Sequence, residues 1–216
     1  MCRVVRYDRA VPVEPSVTSI RSVANPADPR YRRTRAQICA ATRRLLETTD
    51  AQRLTFGQVA TAAEVNRSTV HQHYASRHEL VADALATDLA EIAGPLDRCP
   101  FDRSGEVPSE LVEMFAAGEQ QCAILDRLSG TDRGLVAVRL TELLAARLVD
   151  RFADGARPPG FDQVPAADHA HYVAGGLVQL LLDRPSGDRR RAAEQRADEA
   201  WRLIAPLSVA QVTAGA

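Results

Sequence analysis

Three helix-start signals crowd into the stretch from Leu54 to Leu80, and they leave room only for short helices joined by tight turns. Thr55, with Gln58 three residues on, has the capping-box pattern, in which each side chain satisfies a backbone N–H of the other residue. Val59, Ala60 and Ala63 then form an apolar face, with alanine where a neighbouring helix must come close. The chain turns at Glu64-Val65. Asn66 is the N-cap expected for a second helix over Arg67–Tyr74. In that helix Val70 and Tyr74 face inward and Arg67, Ser68, Thr69, His71 and Gln72 stay outside or near its start. Ser76 with Glu79 opens a further helix. A short helix, a turn and a short polar-faced helix make up the helix-turn-helix pattern.

The rest of the 216-residue chain has space for one large domain or for a small one followed by a larger one, and at 45% hydrophobic it can build a real core. No run of about 18 apolar residues exists to span a membrane. The arginines of the N-terminus precede no apolar segment, so no signal peptide is expected. Cys2, Cys39, Cys99 and Cys122 are scattered without a CxxC pair, and Cys39 and Cys122 fall on apolar helix faces, which predicts reduced, buried thiols and a cytoplasmic protein. The net charge of −1 conceals an imbalance: residues 1–80 hold 13 Arg against 7 acids, the remainder 14 Arg against 21. A basic front suits a polyanion, which an acidic rear would repel. All 27 basic residues are arginine.

In chain order, residues 1–30, with Pro12, Pro15, Pro26 and Pro29 and little periodicity, are expected to form a disordered basic arm. Where it meets the first helix, Arg30, Arg32, Arg33 and Arg35 cluster, and two readings stay open: contact with phosphates or a minor groove, or a solvated tail. Thr34–Thr48 is predicted helical, with Ile38, Ala41 and Leu45 inward. Ser76 to about Ala93 continues as one helix, and Gly94–Pro108 is a loop. Ser109–Leu128, Thr131–Ala153, Ala166–Asp183 and Asp188–Ala205 are predicted helices with hardly any strand alternation between them. Leu111, Phe115, Gly118, Cys122 and Leu125 make one stripe; Val136, Leu140, Leu144, Leu148 and Phe152 make another. Ala166–Asp183 is apolar over most of its circumference and holds Gly175-Gly176. The last two helices therefore suit a dimerisation surface, completing a four-helix bundle from two subunits; closing the chain's own core is the alternative. The expected organisation is all-α: an arm (1–30), a three-helix helix-turn-helix domain (31–77) and a larger helical ligand-binding and dimerisation domain (78–216).

These residues resemble the TetR family of transcriptional regulators. The resemblance is carried by Ile38-Cys39-Ala40-Ala41-Thr42-Arg43-Arg44-Leu45-Leu46, Leu54-Thr55, Val59-Ala60, Ala63-Glu64-Val65-Asn66, Val70-His71-Gln72-His73-Tyr74 and Arg77-His78-Glu79-Leu80, in register without a gap. Three positions depart from the pattern. Glu64 stands where the family has a turn glycine, so a positive φ there would be strained by about 1 kcal/mol. His71 replaces an aromatic residue and Arg77 a lysine. The resemblance implies a double-stranded DNA partner. Arg67 suits bidentate reading of guanine and Gln72 of adenine, with Ser68 and Thr69 beside them, and Asn66 belongs to the same surface. Thr55, His71, His73 and Arg77 would hold the backbone, His73 having packing beside Tyr74 as its alternative.

The rear domain by the same resemblance takes a small-molecule effector. Phe101, Met114, Phe115, Cys122, Leu125, Leu144, Tyr172 and Trp201 are candidate walls and His169 a polar group among them. His71-x-His73 and His169-x-His171 do not suggest a metal, because helical residues two apart point in different directions, and no cofactor is expected. The implied function is a homodimeric repressor, joined through its last two helices and released from a palindromic operator by its ligand. A DNA-binding regulator without a ligand, acting through architecture or a protein partner, is the alternative. An enzyme is not expected: no nucleophile–base pair, paired carboxylates or metal motif supports one.

Overall fold

The computed structural model describes residues 27–102, 106–182 and 193–204. The arm up to residue 26, with Cys2, lies outside them, as do Asp183 and the expected first turn of the last helix (188–192). The described residues form ten α-helices and two short 3₁₀ turns, and no strand occurs among them. The fold is all-α, as expected, with a helix-turn-helix head and a helical rear.

Helix α1 runs over Pro29–Leu46, starting earlier than its periodicity suggested. Asp28 accepts the backbone N–H of Arg30 at 2.8 Å, and Pro29 sits at the first helical position, where it loses no hydrogen bond. A 3₁₀ turn at Ala51–Arg53 leads to α2 (Phe56–Ala62) and α3 (Arg67–His73). The helix expected over Ser76–Ala93 is instead two, α4 (Arg77–Ala84) and α5 (Ala86–Ala93), because Leu85 leaves the helical region with ψ near 2°. A 3₁₀ turn follows at Gly94–Arg98, inside the segment expected to be loop. Helix α6 (Ser109–Gln120) likewise ends before Leu128, with Gln121 out of helical geometry and a single further turn, α7, at Cys122–Leu125. Then come α8 (Gly130–Ala153), α9 (Ala166–Leu182) and α10 (Ala193–Ile204).

Helix α8 is the axis of the rear. It packs along α9 on one side and against α4 and α5 on the other, burying Val136, Leu140, Leu144 and Leu148 between them. Helices α6 and α10 complete the layer, and Gly118 lets α6 approach α9: a Cβ there would lie 2.7 Å from Leu181 Cδ2. One continuous apolar core runs from Ile38 in α1 to Ile204 in α10, crossing residue 77 without a gap. No helix among the described residues is long and apolar enough to cross a membrane.

Buried acids fasten the head to the rear. Arg43 grips Asp88 through Nε at 3.0 Å to both carboxylate oxygens, tying α1 to α5. Asp132, in the first turn of α8 and 2% exposed, accepts from Arg77 at 3.0 Å and pairs with His78 at 2.7 Å. Arg77 also donates to the Ala51 carbonyl, and Ala51 N–H reaches the Arg127 carbonyl at 3.2 Å. Removing a buried acceptor strands its donors, at about 1.5–3 kcal/mol for charge-assisted bonds. Asp132→Ala is therefore expected to lower the unfolding free energy by about 2 kcal/mol, read as a reduced urea midpoint with an unchanged slope.

Candidate nucleic-acid interface

The helix-turn-helix is built by local signals that its sequence carries. Thr55 and Gln58 form the complete capping box, at 2.9 and 3.2 Å. Asn66 Oδ1 accepts the Ser68 N–H at 3.2 Å, so its side chain serves the cap of α3. Ser76 Oγ accepts the Glu79 N–H at 3.1 Å, while the Glu79 carboxylate reaches one residue further back, to the Ala75 N–H. Between α2 and α3 the chain closes a Schellman turn: Val65 N–H bonds the Ala60 carbonyl at 3.0 Å and Glu64 N–H the Thr61 carbonyl at 3.2 Å. That motif places Glu64 at φ 53°, the one non-glycine residue with positive φ among the described residues. Glycine would take this conformation without the steric cost that Glu64 bears.

The inner face of α3 is locked by a polar node. Val70 is fully buried, and the hydroxyl of buried Tyr74 donates to Asp83 of α4 at 2.5 Å. Arg35 Nε donates to the same oxygen at 2.9 Å and Cys39 Sγ at 3.1 Å. The Arg35 guanidinium also lies over the Tyr74 ring, 5.2 Å from its centroid. Burial works to raise the Asp83 carboxyl, but the bonds from Arg35, Tyr74 and Cys39 outweigh it and hold it below its ordinary range. Burial pushes the Cys39 thiol up to about 12 and raises the Tyr74 phenol, so both stay protonated as donors.

The outer face is left open. Arg67, Ser68, His71 and Gln72 are exposed and Thr69 half-buried. His71 rests edge-on against Phe56, with centroids 4.7 Å apart. His73 turns away from this face and stacks on Tyr31 at 4.2 Å. Its buried Nδ1 has no hydrogen-bond partner, and burial followed by the charge of Arg35 lowers its basicity, so the ring is neutral near pH 7. His73 thus packs on Tyr31 more closely than on Tyr74 (6.4 Å), in line with the packing alternative for this residue. Arg77 Nη1 donates to both Asp132 and the Ala51 carbonyl, which ties this side chain to α8.

The candidate ligand residues separate into two groups. Phe101, Met114, Phe115 and Leu144 are fully buried, Leu125, His169 and Trp201 nearly so, and Cys122 is half-buried. Phe101 meets Phe152 edge-on at 5.8 Å and Trp201 at 6.3 Å, while His169 lies between Phe152 at 5.1 Å and Phe161 at 4.0 Å. Arg157 Nε donates to His169 Nδ1 at 3.2 Å, which leaves the ring proton on Nε2. Burial and then Arg157 lower the basicity of His169, keeping it neutral. Phe152, Phe161 and Arg157 belong to this cluster and were absent from the candidates: Phe152 read as one more core position, and Phe161 and Arg157 lie in the irregular segment after α8, where no periodicity marks a partner. Tyr172 is the exception among the candidates, 77% exposed on the outer side of α9. It lines a separate groove of about 430 Å³ with Gly175, Gly176, Leu180, Leu203 and Ile204.

Residues 38–84 match the family model of bacterial regulatory proteins of the tetR family. The head is similar in sequence to that family over this stretch. The fold beyond it agrees with solved structures of low sequence identity. A TetR transcriptional regulator from Streptococcus agalactiae 2603V is 18% identical, covers 82% of this chain and 96% of its own, and superposes with a TM-score of 0.57. The TetR family repressor AlkX from Dietzia sp. strain DQ12-45-1b is 19% identical over 84% of this chain and 96% of that one, at 0.58. A TetR-family regulator from Streptomyces coelicolor reaches 0.51 at 13% identity, covering 78% of each. No curated protein matches the chain.

The TetR-type turn yields a test at its strained position. Glu64→Gly is expected to raise stability by about 0.5–1 kcal/mol, relief of the left-handed strain exceeding the added freedom of the unfolded chain. The urea midpoint measures it, and a midpoint at or below wild type would show that the turn accommodates Glu64 without strain.

Proposed function

We propose that this TetR-family protein is a homodimeric transcriptional repressor that reads a palindromic operator with α3 and lets go when a small molecule binds its rear domain. The observation that carries this reading is the two-sidedness of α3. Its inner face is fixed by Val70 and by the Tyr74–Asp83 bond, while Arg67, Ser68, His71 and Gln72 project from the outer face. Arg67 on the first turn reads guanine through its paired donors, and Gln72 reads adenine. Ser68 and Thr69 contact bases or a thymine methyl, and Thr55 and His71 hold flanking phosphates.

Dimerisation is supported by the outer side of α9. Gly175 and Gly176 have open space beside them, since a Cβ at either would meet nothing within 4 Å. Packing inside the protomer therefore gives no reason for two glycines in mid-helix, each costing about 1 kcal/mol relative to alanine. Beside them Tyr172 and Leu203 are more than 70% exposed. A partner's helix approaching closely along this bare backbone accounts for both facts. The coupling to ligand runs through contacts already described: α8 holds α4 through Asp132, and α4 holds α3 through Asp83 and Tyr74. A ligand that favours one position of α8 thereby favours one spacing of the two reading helices.

Two experiments test the proposal. On DNA selected from a random pool, Arg67→Ala should lose about 1–3 kcal/mol of affinity and relax preference at one base position, with binding to unrelated DNA little changed. An equal loss on both DNAs would remove the base-reading role. Gly176→Glu should leave the protomer folded but convert the dimer to monomer in sedimentation equilibrium; a variant that stays dimeric would place the seam elsewhere.

A further inference from the structure

We infer that the first turn of α1 is a second DNA-contacting element, in which Arg30, Arg32 and Arg33 grip phosphates flanking the bases that α3 reads. The inference rests on the DNA-binding reading above and extends it to a different helix.

The first observation is electrostatic. Three arginines stand within the first five residues of α1, at the positive pole of the helix dipole, and that turn contains no acid. Cations there are disfavoured by about 0.3–1 kcal/mol each, and these three also repel one another. Asp28, the N-cap, directs a carboxylate oxygen to the backbone N–H of Arg30. All three arginines are exposed, and none has an ion pair among the described residues. Further along the same helix the pattern reverses: Arg35 pairs with Asp83 and Arg43 with Asp88. Among the described residues, acids thus pair with Arg35 and Arg43 but not with the arginines of the first turn, leaving a repulsion that an external polyanion would relieve.

The second observation is positional. Tyr31, between these arginines, stacks on His73 at 4.2 Å with 27° between the ring planes. His73 is the last residue of α3. The stack pins the basic turn beside the end of the reading helix, so a duplex lying against α3 passes next to it. Without base edges in reach of a helix that is not in the groove, backbone phosphates are the groups these guanidiniums meet.

The test measures affinity against salt on a selected duplex for wild type, Arg32→Gln/Arg33→Gln and a control of equal charge change, Arg98→Gln/Arg202→Gln, on exposed arginines of the rear. Each lost phosphate contact lowers the slope of log affinity on log salt by about 0.9, so four per dimer give a fall of up to about 4. The head variant is expected to show this fall with its base preferences unchanged, and the control to keep the wild-type slope. A head variant with the wild-type slope, or a control that falls equally, overturns the inference while leaving the reading of α3 intact. Wild type that selects no DNA at all overturns the function beneath it.

Discussion

One carboxylate, Asp83, takes the hydroxyl of Tyr74, the guanidinium of Arg35 and the thiol of Cys39 together, and the head depends on it. Those donors come from the end of α3 and from α1, while the acceptor belongs to α4. A node of this kind adds directional bonds to the apolar contacts among three helices. A helix of seven residues is far too short to persist alone in water, so α3 is held in place from behind. Its outer side chains are thereby free of structural duty.

The same logic sorts the arginines of the basic front. Arg35, Arg43 and Arg77 find Asp83, Asp88 and Asp132, each acid lying on α4, α5 or α8 and largely shielded from water. These pairs join head to rear and add little to the field outside. Arg30, Arg32, Arg33 and Arg67 are exposed and have no such partner among the described residues. The charge that a polyanion meets is smaller than the count over the first 80 residues suggests, but it is gathered along one edge.

Much of the head was legible in sequence because its determinants are local. The Thr55–Gln58 and Asn66 caps and the inward Val70 and Tyr74 all act over three or four residues, and the departure at Glu64 translated directly into a positive φ. What stayed hidden depends on distant partners. Arg77 reads as an exposed cation at a helix start until Asp132, far along the chain, is brought beneath it. Tyr172 reads as part of a cavity because a helix apolar nearly all round does not reveal which side meets its own chain. The interruptions at Leu85 and Gln121 carry no proline or glycine to announce them, and no periodicity announces the pairing of Arg157 with His169.

The composition of the basic edge along α1 and α3 has a consequence for how a cell is able to modulate it. Every cation there is a guanidinium, and the whole chain contains no lysine. Side-chain acetylation, which silences DNA-facing amines by neutralising them, has no target on this protein. Its attraction for a polyanion rests on guanidiniums, whose charge stays fixed across the physiological pH range and is weakened mainly by the screening of the ionic medium.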